Sequence, residues 1–165
     1  MNNKHLSHLD SKGKSNAEDV SEKLVTERTA VARGKVTMQR DTLELIKAGE
    51  MKKGDVLTVA QITGISAAKK TSDLIPFCDP LQLNSINIDF EFDDHLPGIV
   101  IRAEVKTSAK TDVEMEALTA VSMAALTIYV MAKSTENNLR IEDVYLVEKK
   151  SGKYSDLYKK WAGEK

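Results

Sequence analysis

The sequence predicts an α+β layer fold, with helices covering one face of an antiparallel sheet, and three stretches carry that prediction. Leu81 to Phe92 sets Ile86, Ile88, Phe90 and Phe92 against Asn87, Asp89 and Glu91, the alternation of a half-buried strand. Ile99 to Thr107 repeats it with Ile99, Ile101, Ala103 and Val105, and the short turn Asp93 to Gly98 joins the two as a hairpin. Between Glu116 and Lys133 lie 16 uncharged residues, Ala117 to Ala132, apolar on more than one face. A helix of this kind is buried on most sides. It is shorter than the roughly 20 residues of a membrane span and closely flanked by charge.

The remaining elements fit around these. Residues 1 to about 20 are polar and read as a loose arm, followed by one domain over 21–158 and a short tail, 159–165. Glu27 to Met38 is a strand candidate with Ala30, Ala32 and Gly34 alternating with Val31, Arg33 and Lys35. Asp41 is positioned to cap a helix over Thr42–Ala48 that Gly49 ends. Lys52 to Asp55 is a turn. Val56 to Ser72 reads as a second helix, with Val59, Ile62, Ile65 and Ala68 at helical spacing. Pro76 and Pro80 keep the segment between them non-helical. The core helix opens on Glu114 and Glu116 and closes on Lys133, which suits the helix dipole, so helix-end electrostatics accounts for all three charges. Ser134 to Asn138 is a polar link, Leu139 to Val147 a last strand, and the tail mixes lysines with Tyr154, Tyr158 and Trp161.

Bulk composition excludes several function classes. With 165 residues and a net charge of −1, nothing favours nucleic acid or an anionic membrane as partner. One cysteine, Cys78, and three dispersed histidines provide neither an internal disulfide nor a zinc cluster, so no metal is expected. The first 20 residues are polar, without a signal peptide, and a reducing, cytoplasmic setting is expected. Generic catalytic motifs fail: Gly49 and Gly54 have phosphate-loop spacing, but Asp55 stands where the lysine is needed. Lysines recur beside turns, at Lys52, Lys53, Lys69, Lys70, Lys106, Lys110, Lys133, Lys149, Lys150 and Lys153. Singly these are solvated lysines; together with the proline-bracketed loop and the paired acids they can line a pocket for a phosphorylated ligand.

Longer runs are more specific. Val59 to Pro76 (VAQITGISAAKKTSDLIP), Val113 to Ser122 (VEMEALTAVS) and Ala125 to Tyr129 resemble the molybdenum cofactor biosynthesis protein C family, the cyclic pyranopterin monophosphate synthases. Leu6 to Leu9, Asp19 to Ser21 and Tyr145 to Lys149 extend the resemblance over roughly residues 6–158. It implies a ferredoxin-like fold and a homo-hexamer, a trimer of dimers, with sites at a subunit interface. It also implies rearrangement of a cyclic dihydro-GTP intermediate to cyclic pyranopterin monophosphate with release of pyrophosphate. The partner is then a phosphorylated, pterin- or nucleotide-like small molecule, and no cofactor is implied. By match, Lys53 and Lys69 hold phosphate or act in the chemistry, and Lys133 is the catalytic lysine. Phe77, Cys78, Met115 and Glu116 line the substrate pocket, with Glu114 beside them and Asp79 at the adjoining loop position.

The departures fall at reactive positions. The family's histidine after the loop cysteine is Asp79 here, and its aspartate on the core helix is Val130. That position and Lys133 are three apart and share a helix face, where a carboxylate–lysine pair can move protons; valine cannot. Asp79 also repels a triphosphate. The glycine before the paired acids is Asp112. The resemblance therefore implies a retained scaffold with impaired native turnover. A working lyase with a substitute group, a non-catalytic oligomeric binding protein and an enzyme of new specificity remain alternatives. Val130, on an apolar helix, is expected to be buried.

Overall fold

A computed structural model describes residues 19–151. The expected arm over 1–20 and the tail with Tyr154, Tyr158 and Trp161 lie almost wholly outside them. The chain runs β1 (Thr26–Thr37), α1 (Arg40–Lys47), α2 (Val56–Ala68), α3 (Thr71–Leu74), β2 (Leu83–Asp93), β3 (Gly98–Ala109), α4 (Glu114–Ala132) and β4 (Arg140–Ser151). The strands form one antiparallel sheet in the order β2-β3-β1-β4, consistent with a ferredoxin-like α+β fold. The expected hairpin is β2–β3, paired from Leu83↔Thr107 to Asp93↔Gly98.

The core lies between one sheet face and the helices. Ala30, Ala32 and Val36 of β1 and Ile99, Ile101, Ala103 and Val105 of β3 meet Ala117, Ala120, Val121, Ala124, Ala125 and Ile128 of α4, all buried. Helix α4 is long and apolar enough to cross a membrane, but over half of it is buried inside the fold against the sheet and α2. Its alanines let it lie close to both neighbours. A Cβ at Gly64 of α2 would sit 2.5 Å from Ile88 Cδ1 and 2.9 Å from Ala120 O, so the two helices touch backbone to backbone there.

That approach divides the four apolar residues at helical spacing on α2, since Ala68 is buried and Ile65 packs against the core while the other two do not. The buried residues of the helix are Val56, Ala60, Gly64, Ala67 and Ala68, whereas Val59 and Ile62 point outward, 40% and 59% exposed. Small side chains are what a close helix crossing requires, and the larger ones are turned away. The helix also ends before Ser72. The buried Thr71 hydroxyl donates to Ala68 O at 3.0 Å, satisfying a carbonyl at the end of α2, and a short separate turn, α3, follows.

Two other expectations change. Helix α1 begins at Arg40, and Asp41 is not its cap. The N–H of the cap residue Gln39 donates to Glu136 Oε2 at 2.8 Å, so a buried carboxylate from the β4-side link serves the helix start. At its other end Gly49 has φ +70, and Gly49 and Glu50 donate to Ile46 O and Leu45 O, a double closure that a left-handed residue allows. Strand β4 runs to Ser151 rather than Val147, and it pairs β1 through two register shifts, with Asp143 at φ 53. Bulges of this kind break the sequence alternation that would have marked its full length.

Candidate functional site

The N-terminal end of α4 closes one wall of a cavity of about 590 Å³. The loop after α3 supplies Phe77, Cys78 and Asp79, and the first turn of α4 supplies Glu114, Met115 and Glu116. These are the six residues expected to line a substrate pocket. Val20, Lys23, Arg28, Lys110, Thr111 and Asp112 complete much of the remaining wall. Pro76 and Pro80 bracket the loop, and Cys78 N–H donates to Ile75 O in the turn that aims Phe77 at the opening, half exposed.

Electrostatics divides the acids by depth. Glu116 is 4% exposed, and burial pushes its carboxyl from 4.5 up to about 7. Its own backbone N–H opposes that rise, and the Glu114 charge adds to it. A carboxyl in this state holds a proton part of the time at neutral pH and can give or take one. The Cys78 thiol is raised by burial and then by the charges of Glu116, Glu114 and Asp79, which keeps it protonated and unreactive as a nucleophile. At the rim, burial works to raise the Asp112 carboxyl, but hydrogen bonds from Lys149, Ser151 and Arg28 outweigh it and hold the group below the ordinary range. Lys149 is lowered by burial and raised more by Asp112 and Glu114. Among the described residues, no group of three metal-binding side chains occurs.

The other expected site residues lie elsewhere. Lys53 Nζ donates to Val130 O at 2.8 Å, which places Lys53, Val130 and Lys133 together at the C-terminal end of α4. Glu114 and Val130 are 16 residues apart in one helix, about 24 Å along its axis. Within one chain, therefore, the pocket residues and the Lys53–Val130–Lys133 group are at opposite ends. Lys69, the C-cap of α2, is exposed and does not line the cavity. Helix α2 runs antiparallel to α4, with Lys53 near Val130 and Gly64 near Ala120, which puts Lys69 toward the cavity end. Val130, expected to be buried, is 45% exposed, because α4 turns Leu126 and Val130 away from the sheet.

Arg28 was missed from the sequence. It occupies the same strand face as Ala30, Ala32 and Val36, and an arginine in an otherwise core-facing register was the available signal. Asp112, known from the sequence only as a departure, holds Arg28 and Lys149, one of many turn lysines, at 2.7 Å each.

Comparison with known proteins places this geometry in a family. Residues 17–152 match the sequence profile of the MoaC family. Among similar proteins is a cyclic pyranopterin monophosphate synthase of Methylobacterium sp. (strain 4-46), 52% identical over 148 residues, which covers 90% of this chain and 92% of the relative. The synthase of that name from Nostoc sp. (strain PCC 7120 / SAG 25.82 / UTEX 2576) is 51% identical over 157 residues, 95% and 94% of the two chains. That of Heliobacterium modesticaldum (strain ATCC 51547 / Ice1) is 53% identical over 148 residues, 90% and 93%. A match of this extent and identity, on a fold of the expected topology, means that the chain belongs to the MoaC family.

Proposed function

We propose that the protein is a cyclic pyranopterin monophosphate synthase by fold and descent, acting on a cyclic dihydro-GTP intermediate in the cytoplasm, with turnover impaired at Val130 and Asp79. The observation that carries this reading is the cavity itself: the five residues matched to the family's substrate pocket, and Asp79 at its histidine position, line one space of about 590 Å³. Phe77 offers a ring face for a flat heterocycle. Glu116 supplies a carboxyl able to exchange a proton near neutrality. The ligand's phosphates call for cations, and Lys53, Lys69 and Lys133 remain for that role, against repulsion from Asp79 and Asp112.

The separation of the two residue groups along α4 favours a site shared between subunits. Chemistry that uses both Glu116 and Lys133 on one substrate needs the cavity of one copy and the C-terminal end of α4 from another. The outward apolar side chains Val59, Ile62, Leu126 and Val130 supply surface for such an assembly, a homo-hexamer built from dimers. A second reading, an oligomeric binding protein without turnover, has one observation in its favour: Lys53 is engaged as a cap on the Val130 carbonyl. Incubation with the cyclic GTP intermediate, followed by detection of the pterin product and pyrophosphate, separates the two. Light scattering tests the assembly, and a monomer at micromolar concentration contradicts the shared site.

A further inference from the structure

One cluster, which meets the cavity at Arg28, Asp112 and Glu114, is absent from the proposed reaction. Arg28 of β1 and Ser151 of β4 are register partners across the sheet, and Lys149 precedes Ser151 by two on the same strand. Their placement is thus fixed by a β-ladder. All three converge on one carboxylate. Arg28 Nη1 and Ser151 Oγ each donate to Asp112 Oδ1 at 2.7 Å, and Lys149 Nζ lies 2.7 Å from Oδ2. Lys149 also lies 3.3 Å from Glu114 Oε1. Asp112 itself belongs to no regular element; it sits in the short link between β3 and α4.

Two cations and a hydroxyl held on strands, all directed at one pair of oxygens, match the requirements of an oxyanion. Asp112 fills the place without using all of it. Arg28 Nε and Glu114 Oε2 are buried without a hydrogen-bond partner, so the guanidinium keeps an unused donor beside the occupied one. Charge gives the same answer. Arg28 and Lys149 are balanced by Asp112 and Glu114; without Asp112 the cluster carries one net positive charge, the Arg28 and Ser151 donors lose their acceptor, and Lys149 keeps only Glu114 at 3.3 Å.

We propose that Arg28, Lys149 and Ser151 form an oxyanion subsite beside the cavity, reached where Arg28 and Asp112 line it, and that Asp112 is its internal occupant, closing it to phosphate-type ligands. The proposal does not depend on the reaction proposed above, since any soluble phosphate can probe it. Isothermal calorimetry with inorganic pyrophosphate at low ionic strength is the test, on the full chain. Asp112→Ala is expected to bind about tenfold or more tightly than the parent. Lys149→Gln in the Asp112→Ala background is expected to remove the gain. Ser151→Ala in the parent, which changes no charge, is expected to leave affinity unaltered because its donor is already engaged. A gain under about threefold in Asp112→Ala, or a gain that survives Lys149→Gln, overturns the proposal. So does a loss of binding in the parent on Ser151→Ala, which would mean the subsite is already open. If Asp112→Ala does not fold, Asp112→Asn replaces it with the same direction expected, and the Ser151→Ala arm stands independently.

Discussion

Replacing Glu116 by Gln should stabilise the protein at alkaline pH and leave it unchanged in acid. The carboxyl lies at the base of the cavity, 4% exposed, and its pKa rises from 4.5 to about 7 on folding, with burial the leading cause. Between those two values the folded state binds more protons than the unfolded one. The stability linked to this group is therefore fully present below about pH 4.5 and is lost as pH rises through about 7. At ~1.4 kcal/mol per tenfold change in proton affinity the full displacement amounts to about 3 kcal/mol. The cavity is open to water, which discounts that to roughly 2 kcal/mol. Glutamine has nearly the same shape and no charge to desolvate. The difference between variant and parent should be a small constant at pH 4.5 and grow by roughly 2 kcal/mol by pH 8, a melting shift of about 4–8 °C for a chain of this size. Urea unfolding at fixed protein concentration across that range is the assay, and comparison at each pH cancels the titration of every other group. A difference that does not change with pH, or one that favours the parent at pH 8, refutes the assignment of a strained, buried carboxyl.

Three further outcomes follow from the packing and the site. Gly64→Ala places a methyl against Ile88 and the Ala120 carbonyl, and should cost about 1–3 kcal/mol in denaturant unfolding. Glu136→Ala removes the acceptor of the Gln39 N–H and should cost about 1–2 kcal/mol, visible as early loss of amide protection in α1 during hydrogen exchange. Val130→Asp combined with Asp79→His should raise turnover of the cyclic GTP intermediate by about 10²–10⁴-fold, the usual yield of a positioned proton-transfer group. Since Val130 is half exposed in the single chain, the proposed assembly predicts a stability cost of that pair that depends on protein concentration, which melting at several concentrations resolves.

Much of the fold was legible locally. The β2–β3 hairpin was written in strict alternation, and α4 in an uncharged alanine-rich run. Six pocket residues were legible too, but through resemblance, since Phe77, Cys78 and Glu116 carry no spacing that marks a site by itself. Helix α2 was legible but its buried face was not, because both of its sides are apolar and hydrophobicity cannot choose between them. Backbone contact at Gly64 made the choice. The cap of α1 was misassigned for a related reason: Asp41 satisfied the local rule, while the group that meets the helix start, Glu136, is 97 residues from Gln39.

The sequence by itself determined which segments are strands and helices, since alternation and apolar runs are carried by neighbours along the chain; the acids, the thiol and the ring that line the cavity were marked by resemblance alone. Only the tertiary structure decided their relations. It placed Val130, with Lys53 and Lys133 beside it, about 24 Å along the axis from Glu114, because a rigid helix holds its two ends apart. It buried Glu116, and so gave an ordinary glutamate a proton affinity near neutrality. It brought Arg28, Asp112, Lys149 and Ser151 within hydrogen-bond reach because antiparallel pairing of β1 with β4 sets distant residues side by side, a distance that no reading along the chain contains.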